Sequence, residues 1–217
     1  MIYNGVILNT IKNIIIQINI NYKTFDEDYQ EFLEGLDTEQ LHKQLDLSPD
    51  TKLKKNGKFE RGLYYSVDNI SRYTRVEIQK LQLTMPDGTT AYMSVFPSFI
   101  IKYNKVSVDL IELIVTKLRK GEDIFTVLRD PLSVFFCEDL LHRACQKVDN
   151  TCDTKNLAAH LNARYTEAYN VPISFHCHEV ASFRYPALYI LYKTGEIYTG
   201  TSVAVLSFLN KFFQFLR

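Results

Sequence analysis

The stretch FPSFIIKYNKVSVDLIELI, Phe96 to Ile114, changes character halfway along. Its first half is aromatic, is interrupted by Pro97, and reads as the end of a β module. In its second half Ser107 is a good N-cap and Asp109 falls in the first turn. Ile111, Ile114, Val115 and Leu118 then make one apolar stripe, and Gly121 is placed to stop the helix. A β module running straight into a helix predicts an α+β chain.

Upstream, LYYSV, YTRVEIQKLQLTM and TAYMSVF are β-rich runs separated by turn residues, and MPDGTT is a hairpin turn with Asp87-Gly88 at its tip. Residues 59 to 101 therefore read as a small antiparallel β module. Before it, KLKKNGKFERG reads as a polar loop with a turn at Asn56-Gly57. Phe25, Tyr29, Phe32, Leu33 and Leu36 recur at helical spacing behind an acid-rich start, and Thr38 to Leu45 fits a second short helix. The Ile-rich first 22 residues favour a strand, although Ile11, Ile14, Ile15 and Ile18 also fit a helical stripe.

Downstream, a short helix fits Asp123 to Arg129, RDPLS makes a turn, and Ser133 can cap a helix to about Val148. Three short helices joined by tight turns give the outline of a helix-turn-helix unit. PALYILY and EIYTG read as a β-hairpin turning at Thr194-Gly195, followed by SVAVLSFLNKFFQFL, a C-terminal helix apolar almost all round. The expected organisation is an N-terminal strand and helix segment (1–50), a β module (51–104), a helix-turn-helix-like segment (105–150) and a hairpin with apolar helix (151–217).

With 217 residues and 46% apolar composition, the chain can bury a real core and is not of disordered type. Lys+Arg and Asp+Glu are 25 each, but they are unevenly spread. Asp26 to Asp50 holds nine acids against Lys43, whereas Thr51 to Lys120 holds thirteen bases and six acids. That asymmetry fits either solvated faces or a basic surface for phosphates. The four cysteines follow no leader-like segment and read as reduced thiols of a cytoplasmic protein. No apolar run reaches the roughly 20 residues that span a bilayer, so no membrane partner is expected.

Asn56-Gly57-Lys58-Phe59-Glu60-Arg61, then EIQKLQL, then Asp87-Gly88-Thr89-Thr90-Ala91, then FPSFIIKYNKVS with Phe96-Pro97, Phe99 and Tyr103, follow a recognisable order. Over roughly 90 residues, from Asn56 to Arg143, this resembles the N-terminal part of bacterial transposase-like proteins, where a zinc ribbon precedes a helix-turn-helix. The resemblance implies a protein derived from a mobile element. It departs from the family at the metal ligands. No cysteine precedes Cys137, Thr84 and Asp87 stand where the second ligand pair belongs, and nothing near Ser48 or Lys52 supplies the first. A hydroxyl and a carboxylate do not replace the thiolates of a tetrahedral zinc site, so a degenerate, metal-free ribbon is expected, with no cofactor.

The third helix of the outline carries Val134, Phe135, Phe136, Glu138 and Asp139 early, with His142 and Arg143 only later, which is poor chemistry for reading bases. Contact with double-stranded DNA is expected instead from Lys52, Lys54, Lys55, Lys58, Arg61, Arg72 and Arg75, interleaved with Phe59, Tyr64, Tyr65 and Tyr73.

Other constellations carry less. FHCHE would put His176 and His178 on one side of a strand, but no second ligand pair supports a metal site. ALYILYKTGEIYTGTS resembles the strand-turn-strand core of GIY-YIG endonucleases, with Tyr189 and Tyr198-Thr199-Gly200 at the family spacing, but without the downstream Arg or metal-binding Glu. No paired carboxylates, nucleophile elbow or phosphate-cradling loop is present, and no catalysis is expected. Two readings of function stand: a non-catalytic DNA-binding or accessory protein, and an intracellular protein-interaction module without DNA binding. The second draws on neutral charge, Phe135-Phe136 and self-association through the apolar C-terminal helix; a truncated GIY-YIG-like nuclease remnant is the lesser third.

Overall fold

The computed structural model describes residues 13–16, 25–67, 70–101, 104–123 and 138–213. They form a mixed α+β protein. In chain order the elements are β1 (Asn13–Ile16), α1 (Phe25–Glu34), α2 (Thr38–Gln44), β2 (Lys52–Val67), β3 (Ile70–Thr84), β4 (Thr90–Pro97) and α3 (Val108–Arg119). There follow α4 (Glu138–Asp149), α5 (Cys152–Tyr169), α6 (Cys177–Ala181), α7 (Pro186–Thr199) and α8 (Val205–Phe213). The chain divides into two compact units, one of residues 1–62 and 75–97, the other of 63–74 and 98–217.

The first unit is built on a sheet of order β1-β4-β3-β2, in which β2, β3 and β4 run as an antiparallel meander. β1 adds parallel to β4, pairing Asn13 with Ser94 and Ile16 with Pro97. The expected Asp87-Gly88 turn closes β3 onto β4. Met85 N–H donates to Thr89 O at 2.8 Å, Gly88 takes φ +82°, and Asp87 Oδ1 accepts Thr89 N–H at 2.8 Å. Leu81, Leu83, Met93 and Val95 line the inner face, where Leu36 and Leu41 of the α1–α2 region cover them. Asp37 caps α2 by accepting Glu39 N–H at 2.8 Å.

The polar loop expected at 52–61 is instead part of a sixteen-residue strand. Asn56-Gly57 does not reverse the chain: Gly57 takes φ +74° within β2, a left-handed step of the kind that bulges a strand. β3 changes phase beside it. Ile78 and Gln79 are consecutive, yet both are buried, and inward positions switch from Val76 and Ile78 to Leu81 and Leu83. Gln79, only 2% exposed, uses its amide Nε2 to donate to Gly57 O at 2.8 Å and Lys80 O at 2.7 Å. These bonds satisfy backbone carbonyls that an irregular ladder leaves over.

The second unit is largely helical. Tyr64, on the part of β2 that belongs here, makes a parallel bridge to Val106, with its N–H donating to Lys105 O and its carbonyl accepting Ser107 N–H. That bridge positions the N-cap: Ser107, fully buried, accepts Leu110 N–H at 3.3 Å. At the other end Gly121 N–H reaches Leu118 O and Glu122 N–H reaches Lys117 O, the paired bonds of a Schellman stop. Ser107→Ala is expected to lower stability by about 1 kcal/mol, read from the urea midpoint.

α7 is the centre of this unit, packing on α3, α4, α5, α6 and α8. Ala187, Leu188, Leu191, Tyr192 and Gly195 are buried along it. The β-hairpin expected over these residues is therefore one helix, started by Pro186 and ended at Gly200 with φ +69°. Thr194-Gly195 lies inside it. The strand-turn-strand on which the likeness to GIY-YIG endonucleases rested is absent, because Tyr189 and Tyr198 stand on that same helix. His176 precedes the short α6 and His178 lies within it, so they do not sit together on a strand. The C-terminal helix is present as α8, with Val205, Leu206 and Leu209 fully buried. Past Asp123, the helix expected to run to Arg129 and the start of the next at Ser133 lie outside the described residues; α4 covers the latter's remainder. Among the described residues no helix is long and apolar enough to cross a membrane.

Candidate nucleic-acid interface

Strand alternation decides which lysines share a surface. Leu53 packs with the inner-face residues around Leu81 and Leu83, so its neighbours Lys52 and Lys54 project to the opposite face. Both are exposed. On β3 and β4 the register pairs Lys80 with Ser94 and Gln82 with Tyr92, between the inward residues Leu81, Leu83, Met93 and Val95. Lys80 is exposed, and Tyr92 is 62% exposed. The outer face at this end of the sheet thus presents Lys52, Lys54, Lys80, Gln82 and Tyr92, with exposed Lys55 and Lys58 on the same strand as the first two.

The strand segments that build this end, 52–57, 79–84 and 90–97, contain four lysines and no acid. Asp87 stands at the hairpin tip, where the Thr89 N–H holds its carboxyl below the usual range. Farther along the ribbon the charges are compensated. Lys58 Nζ lies 2.8 Å from Glu77 Oε2, and Arg75 Nη1 lies 3.3 Å from Glu60 Oε2. Such exposed cross-strand pairs add little stability, but they cancel field.

The seven expected contact residues therefore separate. Lys52, Lys54 and Lys55 are exposed and form no ion pair among the described residues. Lys58 and Arg75 face carboxylates. Arg61 is half-buried, its guanidinium 5.7 Å from the Phe96 ring centroid. Arg72 is exposed but belongs to the other unit. Of the aromatic residues expected to stack on bases, Tyr65 is buried and Phe59 has Lys80 Nζ 5.2 Å from its centroid, whereas Tyr73, whose ring meets Tyr64 at 4.8 Å, is 52% exposed. Lys80 and Tyr92 went unread in the sequence. Their signal was the alternation of KLQL and AYMSV, which becomes informative only once the inner face is known.

α4 offers no comparable surface. Arg143 Nη2 pairs with Asp139 at 3.1 Å, and His142 Nδ1 lies 2.8 Å from the hydroxyl of buried Tyr185. Val134, Phe135 and Phe136 lie outside the described residues. Of the two residues expected in place of zinc ligands, Thr84 ends β3 and Asp87 is engaged in the turn. Among the described residues there is no group of three or more His, Cys, Asp or Glu side chains that could hold a metal ion. Comparison of the chain with protein-family models, with curated proteins and with solved structures finds no match, so this face is read from its own chemistry.

Proposed function

We propose that this protein is a non-catalytic DNA-binding or accessory protein whose sheet face at Lys52, Lys54 and Lys80 sits on the phosphate backbone, with exposed Lys55 beside the first two on their strand. One observation carries the reading: four lysines gathered on acid-free strand segments of a chain with no net charge overall. Such a surface attracts phosphates without reading sequence, since lysine acts as a point charge and the face lacks paired donors aimed at base edges. Tyr92 and Gln82 add one stacking surface and one amide beside the lysines. The resemblance to the ribbon and helix-turn-helix of transposase-like proteins points to the same partner, with the ribbon held by its apolar inner face in place of zinc.

The test is salt-dependent binding to a labelled duplex between about 50 and 200 mM salt, where each neutralised phosphate contributes about 0.9 to the logarithmic slope. The triple variant Lys52→Ala, Lys54→Ala, Lys80→Ala is expected to flatten the slope by about 0.9 for each phosphate it no longer neutralises, equally on unrelated sequences. Binding that ignores salt, or a triple variant with the wild-type slope, would overturn this reading and leave the protein-interaction module as the better account.

A further inference from the structure

The helical unit contains a cavity of about 420 Å³ where α5 faces α7 under the segment that follows α5. Its walls are apolar: Ala158 and Ala159 of α5, Ala187 and Ile190 of α7, and Ile173 and Phe175 of the covering segment. Small side chains on both helices hold the space open where larger ones would close it. The covering segment is fixed in place, because Asn162 donates from Nδ2 to Ile173 O at 3.0 Å and accepts Ile173 N–H at 2.8 Å. That pair of bonds uses the Asn162 amide on the cavity's own frame.

Two polar groups on the wall remain unengaged. Thr194 is 1% exposed and lines the cavity, yet among the described residues its hydroxyl makes no hydrogen bond. The hydroxyls of Thr116, Thr166 and Thr199, also on helices, each donate to the carbonyl four residues back. Lys155 lines the cavity as well, is exposed, and forms no ion pair among the described residues. The acid on the wall, Asp149, is already engaged, its Oδ1 accepting Leu188 N–H at 2.8 Å at the start of α7. A half-open apolar pocket of this size, with an exposed lysine at its edge that forms no ion pair among the described residues and one unengaged buried hydroxyl, suits a ligand with an apolar body and a single anionic head.

We propose that the cavity between α5 and α7 binds a small apolar monocarboxylate, with Lys155 facing the carboxylate and Thr194 offering a hydrogen bond. The proposal is independent of DNA binding, whose surface lies in the other unit. It is tested on the whole chain with octanoate, octan-1-ol and octylamine as probes, followed by NMR titration. Octanoate is expected to bind saturably and at least tenfold more tightly than the alcohol, with the amine weaker still. Lys155→Met should bring octanoate down to the level of the alcohol. Thr194→Val should weaken octanoate while leaving the thermal midpoint in place, since no bond within the chain is removed. Ala159→Phe, which enters from the exposed side of α5, should abolish binding of all three. Absence of saturable octanoate binding, or binding untouched by Ala159→Phe, overturns the site; equal affinity for acid and alcohol in the wild type overturns the anionic head.

Discussion

A chain that stops after Ser202 is expected to lose the cooperative unfolding transition of the helical unit in calorimetry. Val205, Leu206 and Leu209 of α8 have no exposed surface. At roughly 1.5–3 kcal/mol for each fully buried aliphatic side chain, their removal costs roughly 5–9 kcal/mol. That matches or exceeds the whole stability of many domains, about 5–15 kcal/mol. The loss is not only apolar. Asn210 Nδ2 donates to Ser98 O at 2.8 Å, so the truncation also strips a buried carbonyl of its partner. Gly195→Leu keeps every other residue yet should act in the same direction. A Cβ at Gly195 would stand 2.7 Å from Val205 Cγ1 and 2.9 Å from Leu209 Cδ1, so any side chain there wedges α7 from α8. A truncated chain with an unchanged transition and unchanged mass in solution would mean that α8 is dispensable. A folded monomer made from an oligomer would instead assign α8 to self-association.

Those two glycine-bearing stretches, around Gly57 and Gly195, also mark where the sequence misleads. Asn56-Gly57 and Thr194-Gly195 both have turn composition, and neither turns the chain. Gly57 supplies a left-handed step inside a long strand, whose partner Gln79 is far off in sequence. Gly195 supplies room for another helix. In both cases a tertiary neighbour gives the residue its meaning, so local reading assigns it the commoner role. The Tyr and Ile content of PALYILY favours strand, but these residues form a helix buried at 187, 188, 189, 191, 192, 194 and 195 among several other helices, and packing overrides propensity. Where the signal was local, it held. Ser107 and Gly121 bound α3, Asp87-Gly88 turns β3 onto β4, and α1 and α2 occur where their apolar spacing puts them. The basic face was half legible. The lysines of β2 stand together because they are close in sequence, whereas Lys80 joins them only through strand pairing.

Replacing Glu112 by Gln is expected to stabilise the helical unit above pH 7 and to remove part of its pH dependence. Glu112 sits on α3, is 8% exposed, and its Oε2 accepts Leu206 N–H at 2.9 Å, capping the start of α8 from another helix. Burial pushes its carboxyl up from 4.5 to about 7, despite the bonds from the α8 backbone that favour the charged form; Asp109 on the same helix adds to the rise. Tyr192 faces it from α7 and, as a phenol whose own titration is raised, brings no opposing charge at neutral pH. A carboxyl raised in the folded state binds its proton more tightly there than in the unfolded chain. Its contribution to stability is fully present below about 4.5 and is lost as pH rises through about 7. The difference amounts to about 3 kcal/mol on the scale of 1.36 kcal/mol per pKa unit. Glutamine keeps an oxygen to accept Leu206 N–H but carries no charge, so it resembles the protonated acid at every pH. Urea unfolding of both proteins between about pH 5 and 8 should give curves that diverge upward in pH, with the variant the more stable at the alkaline end. Glu112→Ala, which removes the acceptor as well, should instead leave the Leu206 N–H unsatisfied and cost about 1–3 kcal/mol relative to glutamine. If wild type and Glu112→Gln keep a constant difference across that range, the carboxyl does not titrate there and the cap works as a fixed charge at the helix start.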